Sequence, residues 1–153
     1  TLKGGRADWL IEKCTELGAS SVTPLLTERS SIISENRVDR LERVSFAAAK
    51  QCQRLQQMVL NPPIKFVTLL DHVYLVATAE ATPLLNAVNS SAKESSGLLI
   101  AGPEGDFTKK EVEMMLEAGG TAVGLGPHRL RVETATIALL ATLVMWSDSE
   151  EMI

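Results

Sequence analysis

Two apolar runs dominate the reading of this chain, because each breaks into a polar, glycine- and proline-rich loop and then into a helical pattern. The first, residues 98–101, opens into Gly102-Pro103-Glu104-Gly105-Asp106-Phe107. The second, residues 122–125, opens into Gly126-Pro127-His128-Arg129-Leu130-Arg131 and a helix beginning near Glu133. Short buried strands that lead through loops into helices build open α/β sheets, whose ligands bind in the crevice beyond the carboxyl ends of the strands. Gly102, Gly105 and Gly126 allow close backbone approach, and Pro103 and Pro127 stiffen the path. The N–H and C=O groups exposed there suit the edge of a flat heterocycle. A Gly-Pro-x-Gly loop alone reads more readily as a tight turn; a second such loop at a strand end argues for a ligand. Neither a dinucleotide-binding glycine fingerprint nor a Walker A loop is present, so a phosphate cradle is not expected.

The remaining patterns alternate. They predict helices over residues 7–17 (stopped by Gly18), 36–57 (ended before Asn61-Pro62-Pro63), 83–88, 108–118 and 133–146. Strands are predicted over 22–26, 64–67, 74–78, 98–101 and 122–125, with a polar loop at 90–97. Thr108 followed three residues later by Glu111 forms a capping-box pattern. Alternation of this kind implies an α/β fold, a parallel sheet with helices on both faces. The 153 residues suit one domain, and a composition 45% hydrophobic but only 4% aromatic calls for an aliphatic core.

The net charge of −4 excludes a generic nucleic-acid glue, since non-specific affinity comes from neutralised phosphates. An RNA-directed protein of this charge needs a local basic face, a partner subunit or a further domain. On the helix predicted at 36–57, Leu41, Val44, Ala48, Cys52 and Leu55 share one arc, and Arg40, Arg43, Lys50 and Arg54 share another. The basic arc is either a solvated face or a phosphate-tracking stripe. The last helix is apolar almost all round, more than one subunit covers, so a homodimer through residues 137–146 is expected. Cys14 and Cys52 lie far apart without zinc or C-x-x-C spacing, and read as buried thiols of a reducing compartment rather than a metal site. The N-terminus shows no signal peptide. The longest apolar stretch, 135–146, falls short of the roughly 20 residues of a membrane span.

The segments G-P-E-G-x-F and L-G-x-x-x-L-R-x-E-T-A (102–107 and 125–135) resemble the RsmE family of ribosomal RNA methyltransferases, within the SPOUT superfamily. Residues 9–24 are similar to that family's opening helix and first strand. Glu28-Arg29-Ser30 matches its E-R-S motif, and Gln51-Cys52-Gln53-Arg54 its Q-[CS]-x-R motif. The resemblance runs in order along about the whole chain. It implies a SPOUT α/β-knot, in which the C-terminal segment threads a loop as a trefoil knot and the cofactor sits in the knotted loops. It further implies an S-adenosyl-L-methionine-dependent enzyme that methylates N3 of a uridine in small-subunit ribosomal RNA.

By the same resemblance, Thr78, Ala101, Gly102, Pro103, Glu104, Gly105, Leu125, Gly126, Leu130, Glu133, Thr134 and Ala135 hold the cofactor. Arg29, Arg54 and Arg131 are expected to hold phosphate or stabilise negative charge on the uracil, and the basic arc of Arg40, Arg43, Lys50 and Arg54, read from helix spacing, is expected to contact RNA. Arginine stays protonated, so none of these is a base. Glu133 is either a base or a carboxylate bonding helix N-terminal N–H groups; no base is assigned. Family members carry a small N-terminal RNA-binding barrel. This sequence begins at the linker, residues 1–6, so a methyltransferase domain over 1–153 without that barrel is expected. Asp106 stands where a second glycine is usual, and His128-Arg129 replace the commoner Arg-Ile. The expected location is the cytoplasm, or a plastid or mitochondrion if a transit peptide has been removed. Two other readings compete. One is a non-catalytic RNA-binding or ribosome-assembly protein retaining the fold, against which the intact loop motifs count. The other is a hydrolase or nucleotide-binding enzyme, disfavoured by the missing Ser/Cys–His pattern, metal-ligand spacing and P-loop.

Overall fold

The first helix, α1 (Arg6–Leu17), stops where its sequence says it must. Gly18 turns left-handed at φ 91°, and its N–H reaches back to the carbonyls of Cys14 and Thr15. The computed structural model describes residues 5–30, 35–70, 72, 75–90 and 97–151. After α1 come β1 (Ser21–Val22), β2 (Leu25–Leu26), α2 (Glu35–Gln51), β3 (Val59–Leu60), β4 (Ile64–Lys65) and a 3₁₀ turn, Phe66–Leu69. The second half runs β5 (Leu75–Pro83), α3 (Leu84–Ser90), β6 (Leu99–Ile100), α4 (Lys109–Glu117), β7 (Thr121–Gly124) and α5 (Val132–Glu151). The strand pairings among the described residues are parallel: β1 with β3, β2 with β4, and β5 between β6 and β7.

Several expected boundaries move, each for a local reason. The strand expected over 22–26 is two short strands, because Pro24 has no N–H to give a ladder. Its partner is interrupted opposite, at Asn61-Pro62-Pro63. There Asn61 bridges the gap, its backbone N–H on Val22 O and its side-chain amide on Thr23 Oγ1, both at 2.9 Å. The helix expected to reach residue 57 ends at Gln51. Gln53 takes a left-handed φ of 58°, and the Arg54 N–H returns to Ala49 O at 3.1 Å. That is a glycine-type helix stop made by a glutamine, so composition did not betray it. Cys52, Arg54 and Leu55 therefore lie beyond the helix, Leu55 is fully exposed, and β3 takes up the chain where helix was expected to have only just ended. The strand expected at 64–67 turns into the 3₁₀ helix after Lys65. Tyr74 and residues 91–96 lie outside the described residues. The Thr108 capping box forms in both halves, side chain to Glu111 N–H and Glu111 carboxylate to Thr108 N–H.

Strand alternation sends apolar side chains to both faces of the β6-β5-β7 sheet, as a sheet covered on both sides requires. Val76 and Ile100 pack with Phe66 of the 3₁₀ turn, Phe107 of the loop after β6 and Met115 of α4. Leu75, Ala77, Leu99 and Val123 pack with Leu84, Ala87 and Val88 of α3 and Leu139 of α5. A third cluster joins α1, α2 and α5 through Ile11, Cys14, Leu41, Met58, Ile137 and Leu140. Burial pushes the Cys14 thiol up to about 11, as an inert core thiol requires. Among the described residues no helix is long and apolar enough to cross a membrane.

Candidate functional site

The site follows from β5 running parallel to both its neighbours. The carboxyl ends of β5, β6 and β7 point the same way, so the loops leaving β6 at Ala101 and β7 at Leu125 open side by side. Between them lies a cavity of about 460 Å³, within the range of small-molecule sites. Ala77, Val123, Leu130 and Leu139 give it apolar wall, and Arg6, Glu104, Asp106, His128, Arg129, Arg131 and Glu133 give it charged or titratable groups. Two glycines are needed here. A Cβ on Gly124 would come within 3.0 Å of the Thr78 carbonyl oxygen, a backbone atom that cannot swing away, and Gly126 holds φ at 120°.

The loop after β6 is a tight turn in which Asp106 N–H donates to Pro103 O at 2.8 Å. Asp106 holds a left-handed φ of 64°, tolerable because its Oδ1 accepts from Phe107 N–H at 2.9 Å. Its Oδ2 lies 3.7 Å from the Arg129 guanidinium. Asp106 and Arg129 thus meet each other across the two loops.

The Glu28-Arg29-Ser30 segment docks on the outside of this turn. Glu28 N–H donates to the buried Glu111 carboxylate at 2.9 Å, and Arg29 Nη1 donates to Gly105 O at 2.6 Å. Glu111, two residues into α4, therefore ties three loop features together: the helix cap, the 27–30 turn and, through it, Arg29.

The structure gathers most of the expected cofactor residues. Thr78, Ala101, Gly102, Pro103, Glu104, Leu125, Gly126, Leu130, Glu133 and Ala135 line the cavity, and so does Arg131. Gly105 and Thr134 do not; Gly105 instead backs onto the Arg29 side chain. Arg29 and Arg54 stand outside the lining as well. Arg54 donates through Nε and Nη2 to Glu16 O, at 3.0 and 2.9 Å, with its guanidinium over Gly18. It caps the carbonyl end of α1, where a positive charge is favourable. The exposed basic residues of α2 also have partners: Arg40 on Asp8 at 2.5 Å, Arg43 on Asp39 O at 3.3 Å, Lys50 over the Phe46 ring at 4.4 Å.

One cavity residue carried no signal in the sequence. Arg6, the first residue of α1, ion-pairs with Glu104 and lies 3.8 Å from Glu133 Oε1. Glu133 does not cap the α5 N-terminus; its Oε2 is buried without a hydrogen-bond partner among the described residues.

A parallel α/β sheet whose strand ends open into glycine-rich loops around one cavity is the architecture in which α/β domains form small-molecule sites. The chain belongs to the RNA methyltransferase domain family, whose model matches residues 1–144. It is 32% identical to the ribosomal RNA small subunit methyltransferase E of Synechocystis, over 92% of this chain and 50% of that protein. It is also 32% identical to the Bacillus subtilis protein of the same name, over 92% of this chain and 61% of that one. Its fold superposes on the Neisseria gonorrhoeae ribosomal RNA small subunit methyltransferase E bound to S-adenosyl methionine. There the TM-score is 0.81 and the identity 29%, over 94% of this chain and 62% of that one. A Legionella pneumophila protein in complex with the cofactor SAM gives a TM-score of 0.81 at 25% identity, over 95% of this chain and 62% of that one. The chain spans about half to three fifths of the length of these two relatives.

Proposed function

We propose that this chain is the catalytic domain of an S-adenosyl-L-methionine-dependent methyltransferase that modifies N3 of a uridine in small-subunit ribosomal RNA. The observation that carries the reading is the cavity between the β6 and β7 loops, built from the two motifs that carry the family resemblance. Its residues fit the cofactor. Gly124 lets β7 lie close against the Thr78 backbone of β5, Gly126 turns the following loop at a positive φ, the apolar residues suit an adenine face, and Glu133 offers a buried acceptor with no donor among the described residues. Bound, the cofactor supplies a methyl group already activated by its sulfonium. The protein's part is orientation and electrostatics. Arg131, at the cavity and just before α5, is suited to stabilise the negative charge that uracil gains when N3 gives up its proton. The exposed Arg40, Arg43 and Lys50 supply a local positive face for RNA phosphate in an acidic domain.

Two further features belong to the proposal. The first is a trefoil knot in a SPOUT fold. The parallel pairing supports it, as does the register shift that sets both Ala77 and Thr82 of β5 against Val123. The second is a homodimer through residues 137–146, where Leu139 alone is fully buried and Met145 stays 73% exposed. Light scattering at micromolar concentration should report twice the chain mass, and a monomer would remove the dimer. The setting is a ribosome-containing compartment, the cytoplasm or an organelle. The function is tested by tritiated-methyl transfer into unmodified small subunits and by thermal shift with S-adenosylmethionine. Ligand at 100 times Kd should stabilise the fold by about 2.7 kcal/mol. No shift at saturation refutes the cofactor assignment; a shift without transfer leaves a non-catalytic RNA-binding protein.

A further inference from the structure

Apart from Arg131, the charged groups of the cavity divide into two sets. Asp106 and Arg129 face each other across the loops. Glu104 and Glu133 face Arg6, one cation against two carboxylates. The Arg6–Glu133 approach is the poorer of these contacts: 3.8 Å allows Coulomb attraction but no hydrogen bond. Glu133 Oε2 is buried and has no hydrogen-bond partner among the described residues, although its side chain is 13% exposed and the residue lines the cavity. A carboxylate offers about four lone-pair sites, and leaving them unmet out of water is costly. Arg6 is also oddly placed for its own helix. It is the first residue of α1, where the helix dipole disfavours a cation, and Gly5 before it supplies no side-chain cap. Its position is explained by the link to two carboxylates from the β6 loop and α5.

We infer that Glu133, assisted by Glu104, receives a positively charged group of the ligand, and that Arg6 holds this place as a built-in competing cation. The inference rests on the proposed cofactor reading and adds to it the residues that select for ligand charge. Two groups of S-adenosylmethionine have the required chemistry, the sulfonium and the α-ammonium. S-adenosylhomocysteine retains only the ammonium, and adenosine has neither.

Isothermal titration of the 153-residue chain with these three ligands, in wild type, Glu133→Gln, Arg6→Gln and the double variant, tests it. Glu133→Gln should weaken S-adenosylmethionine about tenfold, the scale of one hydrogen bond to a charged group, and leave adenosine unchanged. An equal loss for S-adenosylhomocysteine assigns the ammonium to Glu133; a loss for S-adenosylmethionine alone assigns the sulfonium. Arg6→Gln should tighten S-adenosylmethionine several-fold, and less so in the Glu133→Gln background, because the two residues act on one charge. An equal loss for adenosine in Glu133→Gln overturns the inference and makes Glu133 a hydroxyl acceptor or a structural residue. Unchanged binding in that variant also overturns it. Should Glu133→Gln fail to fold, Arg6→Gln decides: unchanged or weaker S-adenosylmethionine binding refutes the competing-cation role. Wild type that binds none of the three ligands brings down the cofactor reading, and this inference with it.

Discussion

Arg54 separates two roles that its place in a motif leaves open. As a helix cap it donates two hydrogen bonds to Glu16 O and lays its guanidinium over Gly18, where an added Cβ would sit 2.6 Å from Nη1. Arg54→Ala therefore removes a charged donor pair from the carbonyl end of α1. A hydrogen bond to a charged group is worth about 1.5–3 kcal/mol and the helix-end charge about 0.3–1 kcal/mol. Exposure of the side chain lowers the sum to about 1–2 kcal/mol. For a domain of this size that corresponds to a fall in Tm of roughly 3–6 °C. The assay is thermal denaturation by circular dichroism of wild type, Arg54→Ala, Gly18→Ala and the double variant. Gly18→Ala strains the left-handed turn and pushes the guanidinium off, so adding Arg54→Ala should then cost little more. Equal costs of Arg54→Ala in both backgrounds, or an unchanged Tm in the single variant, would refute the capping role. Lower RNA affinity at unchanged stability would return Arg54 to the RNA face.

Two further outcomes follow from buried groups. The Cys14 thiol, pushed up to about 11 from 9.0, keeps its proton in the native state where the unfolded chain loses it. Its contribution is thus fully present below pH 9 and is lost as pH rises to 11, by roughly 2–3 kcal/mol. Urea titrations of wild type and Cys14→Ala across that window should show a steeper fall for wild type; parallel curves would contradict it. Glu111→Ala leaves the Glu28 and Thr108 N–H groups without their acceptor and should cost about 2–4 kcal/mol. It should also release the Glu28 amide to hydrogen exchange, and retained protection there would show that Glu111 does not hold the 27–30 turn.

The sequence alone determined those features whose causes are local. Gly18 after an amphipathic run, Thr108 three residues before Glu111, and glycines and prolines just past short apolar runs specify their conformations through neighbouring backbone groups. Each is found where the pattern put it. The cavity was legible for the same reason: parallel strands that end in such loops leave their openings on one side. The stop of α2 was not legible, because Gln53 occupies a conformation usually given to glycine. What the tertiary structure decided are the pairings between residues far apart in sequence. Arg54 reaches back 38 residues to cap α1. Arg6 enters the cavity to meet Glu104 and Glu133, and Asp106 meets Arg129. A charged side chain has the same local signature whether it faces water, RNA or a helix end. Only the packing of α1 against α2 and α5, and of the β6 loop beside the β7 loop, brings each charge to its partner.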